Sequence, residues 1–133
     1  MIAFLTARAS VVLFGKESEK EDIVLVDFEQ KGSSVSFSLK STESVIGLLR
    51  TSSVFALNII NATEKQKDCS ELEEGLFVDK FKVCGFKEEE CNSIDCPCIE
   101  DAEVLECSII TLKEEGNLVF CTGKILNHQG AKK

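Results

Sequence analysis

Apolar and polar residues alternate over Val35–Leu39, with Val35, Phe37 and Leu39 on one side and Ser36 and Ser38 on the other. That period of two predicts a half-buried strand. The period then changes: Val45, Leu48 and Leu49 fall at helical spacing and predict a helix with one buried stripe. Ser41 or Thr42 can cap this helix through a side-chain oxygen, and Glu43 suits its positive end. Gly47 weakens it by roughly 1 kcal/mol relative to alanine, so tertiary packing must hold it. Val54–Ile60 is a nearly continuous apolar run, predicted to be a strand covered on both faces. Asn58 is its one polar residue and requires a partner if buried.

Around this strand–helix–strand unit the pattern is mostly β. Ser10–Phe14 and Asp22–Phe28 are short apolar runs separated by the polar stretch Gly15–Glu21, a hairpin with a longish loop. Glu29–Ser33 is polar, with Gly32 as a turn residue. Glu64–Lys82 is charge-rich with Leu72, Leu76 and Phe77 at loose helical spacing, which predicts one or two short surface helices. Val83–Asp101, with the only proline (Pro97) and the acidic run Glu88–Glu90, predicts irregular chain, the acidic run being a solvated loop. Glu103–Leu112 and Leu118–Leu126 are the last two strands, joined through Lys113–Asn117 in a hairpin. Six or seven mostly antiparallel strands with one inserted helix suit a closed or split β-barrel, because closure protects strand edges.

Bulk properties narrow the function classes. The 133 residues fit a single domain, 1–133, with one core. A net charge of -8 opposes a nucleic-acid partner. The N-terminus has no basic start and Arg8 interrupts its apolar stretch, unlike a signal peptide. The longest uncharged run, Thr51–Thr63, is well short of the ~20 apolar residues of a membrane span. Seven cysteines cannot all pair within one chain. Free thiols in a reducing, cytoplasmic compartment are therefore expected.

Candidate chemistry is sparse. Cys91, Cys96 and Cys98 lie within eight residues, but match neither paired C-x-x-C nor ferredoxin spacing. A thiol or metal module there is the weakest of the readings. Cys107 and Cys121 sit in apolar strands, where cysteine acts as a small hydrophobe. His128 is the single histidine, and no P-loop or G-x-G-x-x-G stretch is present. What remains is Lys40-Ser41-Thr42 between a strand and a helix N-terminus, where two hydroxyls, a lysine and backbone N–H groups favour an anion such as phosphate. The plainer alternative is a simple cap beside a solvated lysine.

An ordered set of segments resembles the flavin reductase-like, FMN-binding split-barrel family. It comprises Val35–Thr42, Ile46–Arg50, Phe55–Ile60, Lys80-Phe81, Cys96–Ala102, Leu105–Cys107, Glu115-Gly116 and Gly123–Leu126. The resemblance implies a mainly β fold, a six-stranded split barrel with one central helix and short surface helices, usually a homodimer. It implies FMN, with FAD as the alternative, and NAD(P)H as electron donor for flavin reduction. Lys40, Ser41 and Thr42 become phosphate contacts, Lys80 and Phe81 lie on a loop closing over the flavin, and Asp27 and Phe28 fall beside it.

The departures from that family are specific. Its Thr/Ser-rich stretch after the second strand reads Val24-Leu25-Val26-Asp27-Phe28 here, and a carboxylate at Asp27 repels a phosphate. Its diproline segment is replaced by Glu29–Ser33. Its Gly-Asp-His in the last hairpin is Gly116-Asn117-Leu118, without the histidine. Placing Thr6–Ser10 on the Thr/Ser-rich stretch instead leaves the barrel without its first strand. These departures define the alternative reading: a split barrel that has lost flavin chemistry and serves as a non-catalytic binding or structural dimer.

Overall fold

The structure is a computed structural model and describes residues 1–71 and 79–130. Two long strands open the chain, β1 (Ile2–Leu13) and β2 (Lys16–Asp27), paired along their whole length. The two-residue connection, Phe14-Gly15, has positive φ at both positions, the geometry that lets a tight hairpin follow strand twist. Here the expectation of a loop over Gly15–Glu21 is corrected. Lys16–Glu21 is polar because this part of the ribbon is largely exposed, and not because it leaves the strand. Ile2–Ala9, where no element was predicted, is also strand. Its small inward residues Ala3, Ala7 and Ala9 carry a weak hydrophobic signal, while Phe4, Thr6 and Arg8 on the other face are buried as well.

After β3 (Glu29–Lys31) come β4 (Ser34–Lys40), α1 (Val45–Ser52) and β5 (Val54–Ile59), as the alternating pattern predicts. The cap of α1 differs from expectation. It is Ser44, not Ser41 or Thr42, and its side chain makes no capping bond to the helix backbone. Two short helices follow, α2 (Glu64–Ser70) and α3 (Lys80–Cys84), flanking residues 72–78; Leu72, Leu76 and Phe77 lie outside the described residues. Two segments of the stretch expected to be irregular are strands. They form a small hairpin of β6 (Glu88–Glu90) and β7 (Pro97–Ile99). The chain ends in β8 (Glu103–Glu115) and β9 (Leu118–Gln129), longer than predicted, turning at Gly116 with φ 62°.

The main sheet runs β2-β1-β5-β8-β9-β4-β3, antiparallel throughout. Its six long strands curl so that β2 and β4 approach one another without ladder pairing, which is the split of a split barrel. Inward residues from every long strand, including Leu5, Val24, Phe37, Leu57, Cys107 and Cys121, form one core with Val45, Ile46, Leu48 and Leu49 of α1. Burial of that stripe offsets the poor intrinsic helicity around Gly47. A second cluster covers the outer face of β1, β5 and β8: Phe4, Ala56 and Val104 pack with Phe81, Cys96, Cys98 and Ile99. Asn58, on that outer face, has the partners it requires. Its amide nitrogen donates to Phe4 O (2.9 Å) and Thr6 Oγ1 (3.0 Å), and its oxygen accepts from Ile99 N (2.8 Å). No helix among the described residues is long and apolar enough to cross a membrane.

Candidate functional site

The seam between β2 and β4 is where strand edges go unpaired and outward side chains face open space. A cleft of about 310 Å³ lies at its α1 end, lined by Val24, Leu25, Lys40, Thr42, Ser44 and Glu71 among others. A second hollow of about 360 Å³ adjoins it at Ser38, which lines both. This hollow is bordered by Asp27, Glu29, Ser36, Phe120 and Thr122. The register explains the composition: Ser36 and Ser38 are paired with Thr122 and Phe120, so all four project from the outer face of the β4–β9 ladder. Phe120 is 43% exposed, an aromatic ring presented to solvent beside three hydroxyls.

Three of the seven predicted site residues line this groove: Lys40 and Thr42 in the cleft, Asp27 in the adjoining hollow. Ser41 is next to them, its backbone N–H bonded to Asn117 O at 2.9 Å, which ties the β4 end to the last hairpin. Lys40 makes no ion pair among the described residues, whereas Asp27 binds the Met1 ammonium at 2.8 Å.

The other three are elsewhere. Phe28 is fully buried in the barrel core and does not line the groove. Lys80 and Phe81 are on helix α3 and not on a closing loop, and both are buried. Lys80 points inward because Asp22 awaits it there: Nζ lies 3.0 Å from Asp22 Oδ1, with side chains 2% and 0% exposed. Phe81 packs into the outer cluster with Phe4 and Ile99.

Sequence reasoning missed two buried polar networks. The first is the Lys80–Asp22 pair with Ser44, whose Oγ lies 2.8 Å from Asp22 Oδ2 at the edge of the cleft. A buried aspartate in an apolar strand was the available signal, since such a charge must find a partner. The second surrounds Arg8, 6% exposed, which binds Glu21, Glu90 and Asp95 within 3.0 Å and Glu88 at 3.4 Å. The acidic run Glu88–Glu90 is thus no solvated loop. Hydrogen bonding to Glu90, then to Glu21 and Asp95, more than offsets burial and raises the Arg8 guanidinium further above its ordinary value. Glu88 is pushed up to about 7, first by burial and then by its hydrogen bond to Glu21. Nearby, burial alone would raise the Glu106 carboxyl. Donors from Ser93, Asn127 and Asn92 outweigh it and hold the group below the usual carboxylate range.

The thiols are quiet. Burial pushes Cys107 and Cys121 up to about 12, and Cys84 rises to about 12 through burial and contact with Cys69. Cys91 and Cys98 are raised too: Cys91 chiefly by hydrogen bonding to Cys96, Cys98 chiefly by hydrogen bonding to Cys91. All seven cysteines are free, and no three His, Cys, Asp or Glu among the described residues are grouped to hold a metal ion. His128 pairs with Glu103 at 2.6 Å, far along β9 from the groove's hydroxyls.

The architecture matches solved reductases and a flavoredoxin at low sequence identity. A 2-nitrobenzoate 2-nitroreductase from Pseudomonas fluorescens superimposes with a TM-score of 0.71 at 16% identity, over 97% of this chain and 64% of that one. Flavoredoxin of Desulfovibrio vulgaris gives 0.77 at 16% identity, over 98% and 69%. The Streptomyces globisporus NADH:FAD oxidoreductase, solved with NAD and FAD fragments, gives 0.72 at 18%, over 98% and 76%. The chain thus has the flavin reductase-like split-barrel fold and spans about two thirds of the first two of these proteins. No protein-family model and no curated protein matches its sequence.

Proposed function

We propose that this chain is a flavin-binding oxidoreductase domain that holds FMN, with FAD as the alternative, along the seam between β2 and β4. The observation that carries this reading is the groove itself. A cationic, hydroxyl-bearing end at Lys40 and Thr42 runs into a surface of hydroxyls beside the exposed ring of Phe120. Lys40 and Thr42, with Ser41 adjacent, suit a phosphate, and an exposed aromatic beside small side chains suits a flat heterocycle. The flavin, when bound, supplies the hydride chemistry, with NAD(P)H as donor; the protein supplies a slot, anion binding and exclusion of water. The names of the structural relatives agree with this assignment.

A homodimer fits the same reading. Ile110, Leu118, Phe120 and Leu126 are exposed apolar residues of β8 and β9, and a second copy could cover them. The seven free thiols fit a reducing compartment such as the cytoplasm. The absorbance spectrum of freshly purified protein is the direct test. The absence of both a flavin band on isolation and quenching of added FMN at high protein concentration would remove the proposal.

The second reading, a split barrel without flavin chemistry, is favoured by a particular observation. Asp27 and Glu29 border the hollow, and Glu43 and Glu71 border the cleft. Four carboxylates around an anion site weaken it. This reading expects a melting temperature indifferent to FMN, FAD and NADH, because a ligand that prefers the folded state raises stability.

A further inference from the structure

Ser44 stands where the cleft meets the buried ion pair. Its Oγ is 2.8 Å from Asp22 Oδ2, and Asp22 Oδ1 is 3.0 Å from Lys80 Nζ. A carboxylate paired with a buried ammonium has no proton to give, so Ser44 must be the donor in this contact. The arrangement is locked from behind. Lys80 also donates to Ile23 O at 3.2 Å and Ser70 O at 2.9 Å, so all three of its protons are committed. Asp22 Oδ1 further accepts from Ile23 N at 2.8 Å. With its single proton directed to Asp22, Ser44 offers only acceptor lone pairs to the cleft it lines. Glu43 and Glu71, which line the same cleft, are acceptors as well. A fully ionised phosphate brings no donor, so none of these three groups can bind it.

Resting on the flavin reading above, we propose that Ser44 receives a hydrogen bond from a hydroxyl of the ligand's polyol chain, Asp22 and Lys80 acting as positioning residues. The phosphate then belongs on the Lys40 and Thr42 side of the cleft, whose ammonium and hydroxyl can donate. The cleft is thereby divided: one side accepts and reads the sugar alcohol, the other donates and reads the anion. Lys80 acts on the ligand only through Asp22 and Ser44.

The test compares FMN, riboflavin and lumiflavin, which carries a methyl group in place of the polyol chain, by fluorescence quenching on the wild-type protein, Ser44→Ala and Ser44→Thr. Loss of one hydrogen bond predicts that Ser44→Ala weakens FMN and riboflavin equally, by about five- to tenfold, and leaves lumiflavin unchanged. Ser44→Thr keeps the hydroxyl and should restore both. Weakening of FMN alone would place the phosphate on Ser44 and overturn the proposal, as would equal weakening of all three or no change in any. Failure of the wild-type protein to bind any of the three flavins would instead overturn the flavin reading, and this inference with it. Melting temperatures of both variants within about 5 °C of wild type establish that the fold is retained.

Discussion

Arg8 and Glu90 are joined by two parallel hydrogen bonds, each 2.6 Å, between residues 82 positions apart. The guanidinium fork matches the carboxylate geometrically, and arginine alone among the side chains offers that bidentate shape. The contact clamps the β6–β7 hairpin onto β1 and holds the acidic run in strand conformation. Arg8→Met should therefore destabilise the protein by about 2 kcal/mol, less than a fully buried pair because Glu90 and Asp95 can return to water. Urea unfolding checks it, and Arg8→Lys should recover only part of the loss.

The same cluster sets a pH dependence. Glu88 is raised from 4.5 to about 7, so its folded form binds protons more tightly than its unfolded form. Its contribution is fully present below pH 4.5 and lost as pH rises through about 7. Glu90 and Glu106 are shifted downward and act oppositely, losing stability as pH falls below the normal carboxylate range. Stability should decline by about 1 kcal/mol from pH 5 to pH 8, a value discounted for the partial exposure of Glu88. Glu88→Gln should flatten that slope in unfolding curves measured at the two pH values.

Gly123 lies on β9 against the ring of Phe55. A Cβ there would fall 2.6 Å from Phe55 Cζ and 3.1 Å from Ser108 O. Phe55 has little room to yield, since it is fully buried and packs edge-on against Phe37 at 5.3 Å. Gly123→Ala should cost about 1–3 kcal/mol, read as a lowered melting temperature. Gly123→Ala combined with Phe55→Leu should be less damaging than the two single costs added together.

Lys40 provides the cleft's ammonium. Lys40→Glu should weaken FMN about tenfold or more and change riboflavin by less than about twofold, because only FMN carries the phosphate. Equal effects on the two flavins in a quenching titration would place the phosphate elsewhere.

Thiol reactivity should follow burial. In native protein at pH 8, Cys84, Cys107 and Cys121 should resist a thiol reagent, their pKa values lying near 12. Half-buried Cys69 should react first, and all seven should react in denaturant. Mass spectrometry of the partly labelled protein locates the first site.

How much of this was legible in the sequence depended on how locally each feature is encoded. Val35–Leu39, the helical stripe of Val45, Leu48 and Leu49, and the final hairpin around Gly116 are written in spacing alone, because side-chain direction follows backbone period. Asn58 announced its need for partners, and they were found. The start of β2 was hidden because an exposed ribbon shows no hydrophobic alternation, and Ile2–Ala9 because both of its faces are covered. Among the residues the resemblance singles out, Lys40, Thr42 and Asp27 line the groove, while Phe28, Lys80 and Phe81 are buried away from it. Burial depends on what packs above a residue, and that is absent from its own neighbourhood in the chain.

By itself, then, the sequence determined the middle and the end of the barrel: the strand–helix–strand unit that begins at β4 and the closing hairpin. Only the tertiary structure decided where the charges go. Arg8 meets Glu90 across 82 residues, and Lys80 meets Asp22 across the fold to set the polarity of Ser44. Hydrophobic periodicity is a local property of the backbone, whereas a buried charge is satisfied by whichever partner the completed fold brings within about 3 Å.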